Sequence, residues 1–127
     1  MEKPYNAVGW FEIYVNDLAR AKAFYKAVFN REMQDLPTPE GDMQMCTFAG
    51  IDDAPGTAGA LVKSPKMGPG VGGTLVYFSC ADCAEQAARA QAAGGKVLQP
   101  KTSIGPYGFI AMVQDTEGNL IGLHSLQ

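Results

Sequence analysis

At 127 residues, 46% of them hydrophobic and 18% charged, the chain has the make-up of one globular domain with a real core, and too little length for two ordinary ones. A net charge of −3 with no run of basic residues excludes a surface built to hold nucleic-acid phosphates, and no apolar stretch approaches the roughly 20 residues that span a bilayer. Met1–Ala7 has no apolar leader core, and three cysteines are an odd number for a disulfide framework, so the expected setting is a reducing cytoplasm.

Val8–Val15 reads as a strand with two faces: Phe11, Ile13 and Val15 on one, Trp10, Glu12 and Tyr14 on the other. Asn16-Asp17 supplies a helix N-cap. Leu18, Ala21, Phe24, Tyr25 and Val28 then recur at helical spacing, and Asn30 suits a left-handed helix end. Strands are expected at Gln44–Phe48 and Gly59–Lys63, with a weaker one near Arg31–Gln34, separated by turns over Pro37–Gly41 and Asp52–Gly56. Ser64–Gly73, with two prolines and four glycines, reads as a linker.

The pattern then begins again. Leu75–Cys80 is a strand, Asp82 an N-cap with Glu85 three residues on, and Cys83–Ala93 a helix of small residues ended by Gly94-Gly95. Lys96–Gln99, Phe109–Gln114 and Leu120–Ser125 are further strands, the last two joined by a turn at Asp115–Asn119. A shift of 65 residues lays Ile13 on Phe78, Val15 on Cys80, Asp17 on Asp82, Leu18 on Cys83 and Asn30 on Gly95. The economical reading is a duplicated βαβββ unit within one domain, with modules at about 6–64 and 73–127 and a linker at 65–72. The expected fold class is α+β, with a mixed sheet curled around a cavity.

The run Phe11–Tyr25 resembles the first strand and helix of the vicinal oxygen chelate superfamily, the group of glyoxalase I, bleomycin-resistance proteins and extradiol dioxygenases. The segments Val76–Ser79, Gly94–Val97, Pro100–Thr102 and Asp115–Leu123 resemble its second half, in the right order, and the branch most similar is that of predicted enzymes related to lactoylglutathione lyase. The resemblance implies a cavity in which four side chains hold a divalent metal that polarises the substrate. The implied ligand positions are Trp10, a residue in Gly59-Ala-Leu61, Leu75 (with Thr74 beside it) and Gly122. None carries a donor suited to zinc, nickel or iron, so no metal and no cofactor is expected there.

The same register puts Trp10, Glu12 and Tyr14, then Leu75 and Tyr77, then Gly122 and His124 on the cavity face, with Tyr107 and Lys101 within reach from a loop over Thr102–Gly108. Glu12 is a carboxylate in the middle of an apolar strand, which costs free energy unless it is paired or solvated. It reads as a general base or ligand anchor, and equally as a structural ion pair or dimer contact. His124, the only histidine, reads as an acid or base near neutral pH, or as a bland residue near the chain end. Trp10 and Tyr77 are candidates for stacking on a planar ligand, or for packing alone. Cys80 and Cys83 form a CxxC, but the repeat lays them on Val15 and Leu18, which are core positions.

Three functions remain open: a homodimeric small-molecule binder or metal-independent lyase or isomerase anchored by Glu12; a metal-dependent lyase with a site rebuilt from Glu12 and His124; and a drug-sequestering protein of the bleomycin-resistance kind. A small organic ligand is the expected partner, with neither nucleic acid nor membrane.

Overall fold

A computed structural model of the chain describes residues 5–38 and 42–127; the expected turn over Pro37–Gly41 therefore lies partly outside the described residues. The elements run β1 (Val8–Tyr14), α1 (Leu18–Phe29), β2 (Met33–Leu36), β3 (Gln44–Phe48), β4 (Ala60–Lys63), β5 (Thr74–Ser79), α2 (Cys83–Ala92), β6 (Lys96–Ser103), β7 (Phe109–Gln114) and β8 (Leu120–Ser125). The βαβββ order thus occurs twice. Under the 65-residue shift α1 starts on the first residue of α2, and β3 starts on the first residue of β7.

The chain forms two compact units, Trp10–Leu75 and Val76–Gln127, the latter joined by the residues ahead of Trp10. In the first unit the strand order is β2-β3-β4-β1, with β1 parallel to β4 and the other pairs antiparallel. In the second it is β5-β8-β7-β6, with β5 parallel to β8 and again antiparallel elsewhere. Each half is therefore a mixed sheet, and the class is α+β.

Capping sets both helices. The Asp17 carboxylate accepts from the Arg20 N–H, and Asn30 closes α1 in the left-handed region at φ 53°, where its short amide side chain is tolerated. The Asp82 carboxylate accepts from the Ala84 N–H at the start of α2.

The second half is packed tightly. Cys83, Ala87, Ala111, Val113 and Leu123 form a buried cluster, with Phe78, Cys80, Val97, Phe109 and Ile121 against it. Phe78, Phe109, Ala111, Val113, Ile121 and Leu123 are alternate residues of β5, β7 and β8, so the side of this sheet that meets α2 is apolar core. Cys80 and Cys83 belong to that core; both are free thiols, and burial pushes the Cys80 thiol above its ordinary value. The helix of the first half is covered less completely. No residue of α1 is buried.

Several strand bounds differ from expectation: β1 ends at Tyr14 rather than Val15, β4 begins at Ala60 rather than Gly59, and β5 spans Thr74–Ser79 rather than Leu75–Cys80. β2 begins at Met33 rather than Arg31, because its register is fixed by pairing of Met33 with Phe48 and Leu36 with Met45. β6 runs on to Ser103 through Pro100. It is the outermost strand of its sheet, and its register shifts on both sides of Gln99, which accommodates a residue lacking an N–H.

Candidate functional site

In the first half, strand register sorts the side chains between two faces. Glu12 pairs with Ala60 and Tyr14 with Val62; across β4, Ala60 pairs with Thr47 and Val62 with Met45. Trp10, Glu12, Tyr14, Ala60, Val62, Thr47 and Met45 therefore share the face turned away from α1, while Phe11, Ile13, Leu61, Cys46 and Phe48 share the helix side. The alternation of β1 made the first set legible. Thr47, buried and in the cross-strand row of Glu12, was not foreseen, because Gln44-Met45-Cys46-Thr47-Phe48 alternates without saying which face is which.

Glu12, Tyr14 and Trp10 form one hydrogen-bonded group. The Tyr14 hydroxyl donates to Glu12 Oε1 at 2.8 Å, and the Trp10 indole N–H donates to Oε2 at 3.3 Å. Residues two apart on a strand point the same way, so β1 alone supplies the carboxyl and both of its donors. Glu12 is only 9% exposed, and no lysine or arginine pairs with it among the described residues. Burial lifts its carboxyl above the ordinary range, and the bonds from Tyr14 and Trp10 pull partly back. The structural ion pair that the sequence left open for Glu12 is not formed within the described chain.

In the second half, β5 and β8 pair Tyr77 with Gly122 and Ser79 with His124. These four face away from the buried cluster, and Leu75, itself buried, shares the side of Tyr77 by alternation. The Tyr77 ring lies directly on Gly122: a Cβ built there would stand 2.3 Å from the ring. His124 Nε2 lies 2.6 Å from the backbone carbonyl of Tyr107. A carbonyl only accepts, so Nε2 carries the proton and Nδ1 of the neutral ring is left as the acceptor. The Tyr107 side chain itself is exposed. Lys101 does not reach toward a ligand: its ammonium bonds to Asp82 at 2.9 Å and sits 4.7 Å from the centre of the Phe109 ring.

The metal positions implied by the resemblance can now be fixed. Gly122 pairs with Tyr77 as Ala60 pairs with Glu12, so Ala60 is the β4 position that Gly59-Ala-Leu61 left undecided. Trp10 and Ala60 in one half, and Leu75 and Gly122 at the strands of the other, offer no carboxylate, imidazole, thiolate or amide oxygen. These residues do not fit a divalent metal. Among the described residues, no three His, Cys, Asp or Glu side chains gather where they would hold one elsewhere.

Comparison with the curated proteins returns no match. Among solved structures, a variant methylmalonyl-CoA epimerase of Streptomyces coelicolor in complex with 2-nitronate-propionyl-CoA is similar at a TM-score of 0.69 and 21% identity, over 94% of this chain and 96% of that one. Methylmalonyl-CoA epimerase from Mycobacterium tuberculosis gives 0.70 at 13% identity, over 95% and 88%. An uncharacterized protein from Methanosarcina mazei gives 0.63 at 13%, over 93% and 92%. At such identities the likeness is one of fold alone. The sequence profile of the Glyoxalase/Bleomycin resistance protein/Dioxygenase superfamily matches residues 7–123, nearly the whole chain, and the protein belongs to that superfamily.

Proposed function

We propose that the protein is a homodimeric small-molecule-binding protein with isomerase- or lyase-type proton-transfer chemistry, carried by Glu12 without a metal. The observation that supports it best is the buried Glu12 carboxyl, held by Tyr14 and Trp10 on the sheet face turned away from α1. A carboxyl whose proton affinity is raised by burial is a stronger base when ionised than one in water. In this reading Glu12 takes a proton from a carbon beside a carbonyl of the ligand and returns it, with no net oxidation. Tyr14 and Trp10 hold the carboxyl in one orientation. Within the second half, Gly122 admits the Tyr77 ring.

The dimer is supported by α1. Phe24 and Val28 stand one turn apart on its surface, 59% and 55% exposed, an apolar stripe that a second copy would cover.

The test follows carbon-bound proton exchange in D2O for a panel of CoA thioesters and 2-oxo acids, with excess EDTA present. The reading predicts exchange of at least one compound that EDTA leaves unchanged and that Glu12→Gln lowers by about 100-fold or more. Loss of exchange in EDTA, or a Glu12→Gln variant as active as the parent, contradicts it. Sedimentation of the same samples should give twice the chain mass.

A further inference from the structure

The first half holds a hollow of about 630 Å³ on a different part of its surface, lined by Phe11, Tyr25, Phe29, Phe48, Ile51 and Arg31, among others. That size is typical of sites for small organic ligands. Phe11 and Phe48 belong to the helix side of the sheet, and Tyr25 and Phe29 to the last turns of α1. The hollow is therefore not the Glu12 face, although Trp10 lines its edge.

The duplication supplies an internal control. Under the 65-residue shift, Phe11, Tyr25, Phe29 and Phe48 correspond to Val76, Ala90, Gly94 and Val113. In the second half two of these small residues, Ala90 and Val113, belong to a solid core with Ala87 and Leu123. Five residues, 115–119, join β7 to β8, whereas eleven, 49–59, join β3 to β4, and nine of the eleven line the hollow. Larger rings on α1 and a longer hairpin have opened in one module what the other keeps filled.

The rings are already ordered. Tyr25 and Phe29 lie nearly parallel, 18° apart with centres at 6.0 Å, and Phe48 meets Tyr25 edge-on at 5.7 Å. Phe29 and Ile51 nevertheless remain 57% and 70% exposed, so this apolar surface is presented outward rather than used as core. Nearby cations are engaged: Lys22 pairs with Asp35 and Lys26 with Glu32. Arg31 alone among these has no anionic partner among the described residues, and it does not pair with Asp52 on the same wall.

The geometry points to a second binding site in this hollow, taking a flat aromatic carboxylic acid whose ring lies among Tyr25, Phe29 and Phe48 and whose carboxylate pairs with Arg31. Aromatic walls favour a ring, and a guanidinium without a carboxylate partner favours an anion that it can grip with two N–H groups. The site stands independently of the Glu12 reading.

The test uses 2-naphthoate and its neutral analogue 2-naphthamide, titrated into the isotope-labelled full chain and followed by amide shifts. Naphthoate should half-saturate below about 1 mM, moving residues 25–31 and 49–58 while leaving Thr47, Ala60 and Val62 in place. Arg31→Gln should weaken naphthoate about tenfold and naphthamide less than about twofold, since only the former loses a charged bond. Phe29→Ser, at an exposed position, should weaken both. Absence of shifts at 10 mM naphthoate (about ten times the expected half-saturation), shifts confined to the Glu12 face, or equal sensitivity of acid and amide to Arg31→Gln would each overturn the proposal. So would protection of residues 49–58 from hydrogen exchange that grows with protein concentration alone, because a second copy would then fill the hollow.

Discussion

Glu12 is defined by three neighbours on one strand. Desolvation raises its proton affinity, and the donors Tyr14 and Trp10 reduce but do not cancel the effect. A carboxyl that holds its proton more tightly folded than unfolded adds stability below its unfolded value, near 4.5, and loses that contribution as pH rises through the higher folded value. Denaturant unfolding between pH 4 and 8 should therefore show a stability decline in the parent that Glu12→Gln removes, with the variant relatively more stable at pH 8. Tyr14→Phe should extend the decline to higher pH, because it deletes a bond that favours the ionised form, and should cost about 1–3 kcal/mol at pH 8. A parent whose stability rises over this range contradicts the assignment. Asp82 and Asp115 are shifted the other way, Asp82 chiefly by the Lys101 ammonium and Asp115 by N–H groups of its own turn. Both are solvent-facing, so their part in the pH profile is small.

At the scale of elements, the pairing of β5 with β8 determines what the Gly122 position can do. The Tyr77 ring occupies the space a side chain would need. Gly122→Ala should therefore destabilise by about 1–3 kcal/mol, measured by denaturant midpoint, and displace the Tyr77 ring resonances. A neutral substitution with unmoved rings would show that the position is open. Much of this level was legible beforehand. Asp17 and Asp82 as caps, Asn30 as a left-handed end, and the bounds of β3, β7 and β8 all follow from local chemistry, which the chain keeps wherever no long-range pairing competes. What escaped is what register decides. Pro100 reads as a strand stop until β6 is known to be an edge, and Thr47 joins the Glu12 face only once β3 is paired to β4.

For the whole molecule, the repeat of 65 residues was readable because caps and helix ends recur at fixed offsets, and the two βαβββ halves carry that repeat into strand order and pairing. The asymmetry between the halves was not readable. Cys83, Ala87 and Val113 give α2 a close-packed bed, while α1 keeps Phe24, Val28 and Phe29 outside, a difference that depends on volumes in three dimensions. Membership in the superfamily then meets implied ligand positions, Trp10, Ala60, Leu75 and Gly122, none of which carries a side chain suited to a divalent metal. In the proposed function, Glu12 carries the polar role at this face. Its most direct test is the side-chain carboxyl carbon resonance of Glu12 in the intact, metal-stripped protein, titrated by pH and then with zinc. The expected midpoint lies above 4.5, with no change on adding one equivalent of zinc. A midpoint at or below 4.5, or a resonance that zinc shifts, would contradict it.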